Sequence, residues 1–231
     1  MVAGSVDVGA RVAHVRAVLL STGRSTRCLE GRGLTNLLRR AFYPKYEFHK
    51  ARGKTPKTFE TRPVGGIKRG LRRGRQVDGE LSRWADSGAK VKHPFARKFV
   101  AWCEHEGLVP VASQVCVADT ISNVGTLVDL VLMDTRGRLL VVELKCGFGG
   151  HYDAASGRMR APFAEAPDSP RNQHLLQVAF SAHMFKQTFP ELGSPRAAIV
   201  RVVDGGVEKT PLPRALANAV GDAMKKLKRL K

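Results

Sequence analysis

Residues 125–147, GTLVDLVLMDTRGRLLVVELKCG, constrain the fold more than any other stretch of the chain. Val128 to Met133 is a β-branched and apolar run, Asp134 to Gly137 carries turn chemistry, and Arg138 to Lys145 is a second run. Two such runs around a short turn predict an antiparallel β-hairpin. A turn centred on Arg136 sets Asp129 opposite Glu143. Directly opposed side chains have Cβ atoms about 5 Å apart, close enough for two carboxylates to grip one cation. Lys145, two residues beyond Glu143, points to the same face.

That arrangement is costly without a purpose. Strands this apolar are normally buried, and unpaired carboxylates there either lose their charge or destabilise the fold. A hard divalent cation resolves the conflict. Oxygen ligands with open positions suit Mg²⁺ or Mn²⁺, which keep several waters and engage substrate phosphates. The competing reading is a plain Glu143–Lys145 pair at a sheet edge.

Asp129 followed by Glu143-Leu144-Lys145 resembles the PD-(D/E)XK nuclease signature, with Val128 where the proline of the short motif often sits. The pattern is most similar to the exonuclease branch that includes lambda-type phage exonuclease, the RecB nuclease domain and exonucleases of large DNA viruses, algal ones among them. The resemblance implies an α/β, restriction-endonuclease-like core: a mixed central β-sheet flanked by helices, ordered α-α-β-β-β-α-β. It also implies metal held by Asp129, Glu143 and the Leu144 backbone carbonyl, with Lys145 positioning or activating the attacking water. It covers about residues 70–203.

The net charge of +19 is the second constraint, and it is unevenly placed. Residues 1–76 hold 18 Lys/Arg against 4 Asp/Glu, whereas the rest of the chain carries 21 against 16. A polyanion partner is the simplest explanation, because phosphate neutralisation dominates nucleic-acid affinity. Poor apolar–basic periodicity in 55–75 favours DNA over a membrane surface, and no 18-residue apolar span predicts a membrane-crossing helix. Cys28, Cys103, Cys116 and Cys146 show neither zinc-knuckle spacing nor a disulfide framework, so a reducing compartment is the default. Some RecB-like relatives hold an iron–sulfur cluster on cysteines after the last catalytic motif. No cysteine follows Cys146, so no cluster is expected. The first twenty residues lack the apolar core of a secretory signal, which leaves cytoplasm or nucleus, including that of a virus-infected cell, with a mitochondrial address also open.

The chain divides by composition into a basic helical and extended region, 1–69, and a nuclease domain, 70–231. Within the first, 29–46 reads as a helix and 50–73 as an extended basic segment or linker. Residues 76–86 predict a helix with Val77, Leu81 and Trp84 on one face. Glu80 lies about 60° from Val77 at about 100° per residue, with Asp78 rotated farther from Val77. In the resembled exonucleases a glutamate on the first core helix joins the metal site, so the role is carried to Glu80. Residues 94–107 predict a second helix, 108–118 a strand and 147–170 a loop beside the site. Gln114 stands where many relatives carry glutamate and is assigned no role. Residues 172–188 predict a helix with Leu175, Val178, Ala182 and Phe185 as its apolar stripe. The run Gln177 to Ser181 resembles the glutamine motif of the same exonucleases, which assigns Gln177 to orienting the scissile phosphate or the water. Arg69, Arg72, Arg73, Arg75, Arg158, Arg160 and Arg196 are the candidate nucleic-acid contacts, and 197–203 is a last strand.

The expectation is therefore a Mg²⁺- or Mn²⁺-dependent deoxyribonuclease, foremost an exonuclease in replication, repair or recombination. The catalytic set is Asp129, Glu143, Lys145, Glu80 and Gln177. Lambda-type relatives form rings around DNA, so a homo-oligomer belongs to the expectation. An endonuclease or junction resolvase on the same fold, or a noncatalytic basic DNA-binding protein, are the competing expectations.

Overall fold

A computed structural model describes residues 7–22, 32–43, 64–147 and 151–229. In chain order these form α1 (Val8–Thr22), β1 (Arg32–Gly33), α2 (Leu34–Ala41), α3 (Val64–Ser87), α4 (Pro94–His105), β2 (Leu108–Asp119), β3 (Val124–Asp134), β4 (Leu139–Cys146), α5 (Pro170–Thr188), β5 (Arg196–Val203), β6 (Gly206–Pro211) and α6 (Arg214–Lys228). The class is α/β, a mixed sheet with helices on both faces. The expected order α-α-β-β-β-α-β runs from α3 to β5, with β6 and α6 added after it.

The hairpin of β3 and β4 is the centre of the sheet. Its ladder pairs Met133 with Leu139, Leu132 with Leu140, Val131 with Val141 and Leu130 with Val142, the register set by a turn on Arg136. β4 pairs in parallel with β5, which places Lys145 beside Arg201, and β6 closes that side antiparallel to β5. On its other edge β3 pairs antiparallel with β2. Alternation along β3 and β4 then sends side chains to two separate cores. Val131, Met133, Leu139 and Val141 join residues of α1, α2, α5 and α6, including Phe180 and Phe185. Leu130, Leu132, Leu140, Val142 and Leu144 join Val77, Leu81, Ala85, Phe95 and Phe99 of α3 and α4.

Local chemistry places the helix ends. His93 caps α4 by accepting the Phe95 N–H at 3.1 Å, with Pro94 as first helical residue, and Ser169 with Pro170 repeats the device at α5. α3 ends at Gly88, whose φ of 71° turns the chain out of the helix.

Three expectations are corrected here. The helix expected at 76–86 is 24 residues long, so the basic stretch from Val64 to Arg73 is helical rather than extended. A helix nucleated by the packed stripe of Val77, Leu81 and Ala85 extends backwards at a gain of one hydrogen bond per residue. Of the helix expected at 29–46, only Leu34–Ala41 is helical, preceded by the short strand β1. The flanks of that expectation, and 50–63 of the basic segment, lie outside the described residues. In the described part of 1–69, Leu34, Leu37, Leu38 and Phe42 pack in the same core as Val131 and Val141. Among the described cysteines, Cys103 and Cys146 are free thiols, whereas Cys116 is disulfide-bonded, a departure from uniformly reduced thiols. No described helix is long and apolar enough to cross a membrane.

Candidate active site

β3 and β4 part company just past Leu130 and Val142. The next residues are Asp129 and Glu143. Instead of continuing the ladder, Asp129 uses its side chain: Oδ2 accepts the Leu144 N–H at 2.8 Å. The sheet thus forks, with a carboxylate standing in the crotch. Glu143 is 2% exposed and its Oε1 takes the Lys145 Nζ at 2.5 Å. Glu143 shares parity with Leu139 and Val141, which pack on the face that α5 covers, whereas Asp129 stands where the alternation of β3 breaks, between Val128 of that core and Leu130 of the other.

The electrostatics follow from burial. Asp129 is held well above the usual carboxylate range, first by burial and then by the charge of Glu143. Burial also raises Glu143, against the pull of Lys145. Burial works against the Lys145 charge, but Glu143 and Asp129 outweigh it and hold the ammonium above its ordinary value. One amine among these acids leaves surplus negative charge at the fork.

The third acid of this group is Asp78, not Glu80. Asp78 on α3 is half-buried, its carboxyl raised by burial with Lys145 as counter-charge. It feels Asp129 and Glu143 in turn. Its Oδ1 accepts from Gln114 Nε2 at 3.3 Å. Gln114 sits on β2 between the pairs Ser113–Leu130 and Val115–Val128, so it lies across from Asp129, and its φ of 46° is left-handed. A non-glycine residue there marks a locally constrained backbone. Glu80 faces away. Its Oε2 accepts the N–H groups of Lys92 and His93, both at 2.7 Å, and the His93 bond foremost holds it below its usual range. The sequence signal for Asp78 lay in the stripe as a whole. Val77, Leu81 and Ala85 centre the buried face about 40° ahead of Val77, which puts Asp78 about 60° from that centre and Glu80 about 100° from it.

Two further residues, Tyr152 of the loop expected beside the site and His174 of α5, lie near it outside the expected catalytic set. Tyr152 is buried, with its hydroxyl 3.3 Å from His174 Nδ1 and the Arg201 guanidinium 4.4 Å from its ring centroid. Burial pushes the Tyr152 hydroxyl up to about 12, and burial together with Lys145 pushes His174 down to about 3, so both are neutral at physiological pH. His174 lies three residues before Gln177 on α5, one helical turn away. Gln177 itself is half-buried, and its amide forms no hydrogen bond among the described residues. Gln173 is engaged elsewhere, with Asp168 Oδ1 at 2.8 Å.

The arginines divide. Arg72 and Arg75 are exposed on α3, and Arg73 is half-buried beside β4. The side chain of Arg69 lies outside the described residues. Arg158 pairs with Glu165 at 3.7 Å, and Arg160 donates to the Arg40 carbonyl at 3.2 Å. Arg196 is bound to Asp134 at 2.8 Å, beside Arg138. That places it at the hairpin turn, about 17 Å along β3 from the fork at about 3.3 Å per residue. A polar cavity of about 260 Å³ opens at the same turn, away from the acids.

Among the described residues no group of three or more His, Cys, Asp and Glu is gathered tightly enough to hold a metal ion by itself. The chain matches no protein-family model and no curated protein. Fourteen chains of known structure are similar to it. One, described as the crystal structure of SSO0001, aligns with a TM-score of 0.28 at 9% identity. This chain spans 57% of that one, over 57% of its own residues, and a likeness so distant carries no argument. The class the fold defines is α/β; the chemistry has to be argued from the fork.

Proposed function

We propose that the fork is the active site of a metal-dependent deoxyribonuclease of PD-(D/E)XK type, foremost an exonuclease acting on DNA ends. The observation that carries this reading is the Asp129 carboxylate fixed on the Leu144 N–H beside the buried Glu143–Lys145 pair. The donor set fits Mg²⁺ or Mn²⁺. Asp129, Glu143 and the Leu144 carbonyl offer hard oxygens only, and the carboxyl that burial and then the Glu143 charge hold raised is what a divalent cation would neutralise in place of a proton. When bound, the cation supplies charge neutralisation at the phosphate and acidifies a water.

The chain's own groups do the rest. The Leu144 N–H fixes one Asp129 oxygen and thereby aims the other. Lys145 would donate to the attacking water or a non-bridging phosphate oxygen, with Glu143 and Asp129 as the residues that would hold a cation. Gln177 offers its unengaged amide to the same phosphate. Asp78 takes the place on the first core helix that the resemblance had assigned to Glu80. The water oxygen gives up one proton to solvent and bonds to phosphorus, the bond to the leaving oxygen breaks, and that oxygen takes a proton from solvent.

End-labelled linear duplex and covalently closed circular duplex, each with Mg²⁺ or EDTA, test the reading against Lys145→Ala. Loss of the linear substrate alone, dependent on Mg²⁺ and absent in the variant, is expected. Nicking of the circle would reassign the enzyme as an endonuclease. Intact substrates with DNA binding retained would leave a noncatalytic DNA-binding protein.

A further inference from the structure

We propose that Arg73 is a dedicated phosphate-binding residue at the rim of the fork, different in kind from the basic residues around it. The identity of the phosphate's carrier rests on the deoxyribonuclease reading; the site itself does not.

Arg73 projects from α3 and lays its guanidinium carbon 4.8 Å from the centroid of the Phe95 ring. Its Nε is buried and has no hydrogen-bond partner among the described residues. Nor does any carboxylate among the described residues pair with it, although Asp78 stands five residues along the same helix. Leaving a buried N–H without an acceptor forfeits its hydration with nothing in return, and the loss is larger on a charged group. Stacking on Phe95 accounts for the position of the planar guanidinium. It does not account for an unsatisfied donor.

The second observation is the backbone that faces it. Gly147 follows β4, two residues after Lys145, with φ 98°, a conformation that side-chain-bearing residues rarely adopt. A Cβ there would stand 2.9 Å from Arg73 Nη2. The conformation keeps this position bare, and the guanidinium lies in the space a Cβ would enter. The outcome is a planar, permanently charged donor set with one unsatisfied N–H, next to a stretch of backbone without a side chain, at the end of the strand that carries Glu143 and Lys145. A guanidinium fork matches two oxygens of a phosphate bidentately, whereas an ammonium meets them as a point charge. Arg72 and Arg75, exposed on the outer faces of α3, have their donors in water already.

The test is binding in EDTA, which needs no catalysis. Labelled single-stranded and duplex oligonucleotides are titrated into the intact protein, with inorganic phosphate as competitor. Four variants are compared: Arg73→Lys, Arg73→Met, Gly147→Ala and, as a charge-loss control, the exposed Arg83→Met. Oligonucleotide affinity is expected to fall about tenfold or more in both Arg73 variants and in Gly147→Ala, and less than about threefold in Arg83→Met. Competition by inorganic phosphate in the wild type, lost in Arg73→Lys, assigns a free phosphate as sufficient ligand. Competition by oligonucleotide alone assigns the phosphodiester. Arg73→Lys keeps a charge over Phe95, so a thermal midpoint near that of the wild type shows that the fold is kept. Wild-type affinity in Arg73→Lys overturns the proposal, as does a wild type that binds neither oligonucleotide nor phosphate. Arg73-dependent binding without cleavage would sink the nuclease reading and leave this one standing. Cleavage whose KM and kcat ignore Arg73→Lys would do the reverse.

Discussion

Asp129 Oδ2 occupies the place on the Leu144 N–H that a neighbouring strand's carbonyl would take, at 2.8 Å. One side chain thereby ends a strand pairing and is itself pinned by the strand it has released. Because the bond goes to one oxygen of the carboxylate, an asparagine can make it too, and this separates charge from structure.

Asp129→Asn should therefore keep the fold and lose cleavage. Its effect on stability has a definite sign. The folded pKa of Asp129 is raised above its unfolded value near 3.8, so the folded chain keeps a proton that the unfolded chain releases. The stability this group contributes is full below the unfolded pKa and is lost as pH rises through the folded one. In EDTA the variant and the wild type should be equally stable near pH 4, and the variant more stable at pH 8, by urea denaturation. Mg²⁺ should close that gap by stabilising only the wild type. Equal stability at pH 8 without metal would mean that the charge is not buried as described.

Asp78 and Glu80 make opposite predictions. Asp78→Asn should cut cleavage at least tenfold with little change in stability, whereas Glu80→Ala should leave cleavage within about twofold and cost about 1 kcal/mol through the Lys92 and His93 N–H groups. Glu80 has a lowered folded pKa, so its contribution is present above its unfolded value near 4.5 and fades as pH falls through the folded one. Parallel turnover assays and denaturation curves on the two variants decide the matter; loss of turnover in Glu80→Ala alone would restore it to the site.

Removing the amine should hurt twice. Lys145→Met retains most of the stem packing but strands Glu143, which is 2% exposed. Loss of one partner of a buried pair costs about 3 kcal/mol. That cost should shrink as pH falls, because Glu143, already raised by burial, then takes up a proton. Denaturation of this variant at pH 5 and pH 8 in EDTA reads the difference directly; a pH-independent loss would point to packing alone.

Much of this was legible in the chain. Turn residues and two apolar runs were enough to predict the four ladder pairs from Met133–Leu139 to Leu130–Val142, since a turn of known centre permits one register, but not the parting of the strands at Asp129 and Glu143. The helix α5 was marked by its apolar stripe of Leu175, Val178, Ala182 and Phe185, although its start at Pro170 lies two residues before the expected one. What escaped had weaker local signals. β6, with Glu208 and Lys209 exposed at the sheet's edge, carries no apolar alternation to announce a strand. Asp78 was misjudged because one residue, Val77, stood in for a stripe whose centre lies elsewhere. Tyr152 and His174 meet only through the path of the loop before α5, which no periodicity encodes.

The two-residue strand β1 has a consequence larger than its size. It pairs with β3 at Val124 and Gly125, on the edge from which β4 has just departed, and it leads directly into α2. β3 is thus flanked in tandem, by β4 on one side of Asp129 and by a segment almost a hundred residues earlier on the other. The cleft is propped from outside the segment that supplies its chemistry. A boundary drawn by composition near residue 70 would divide a wedge from the jaw it holds open.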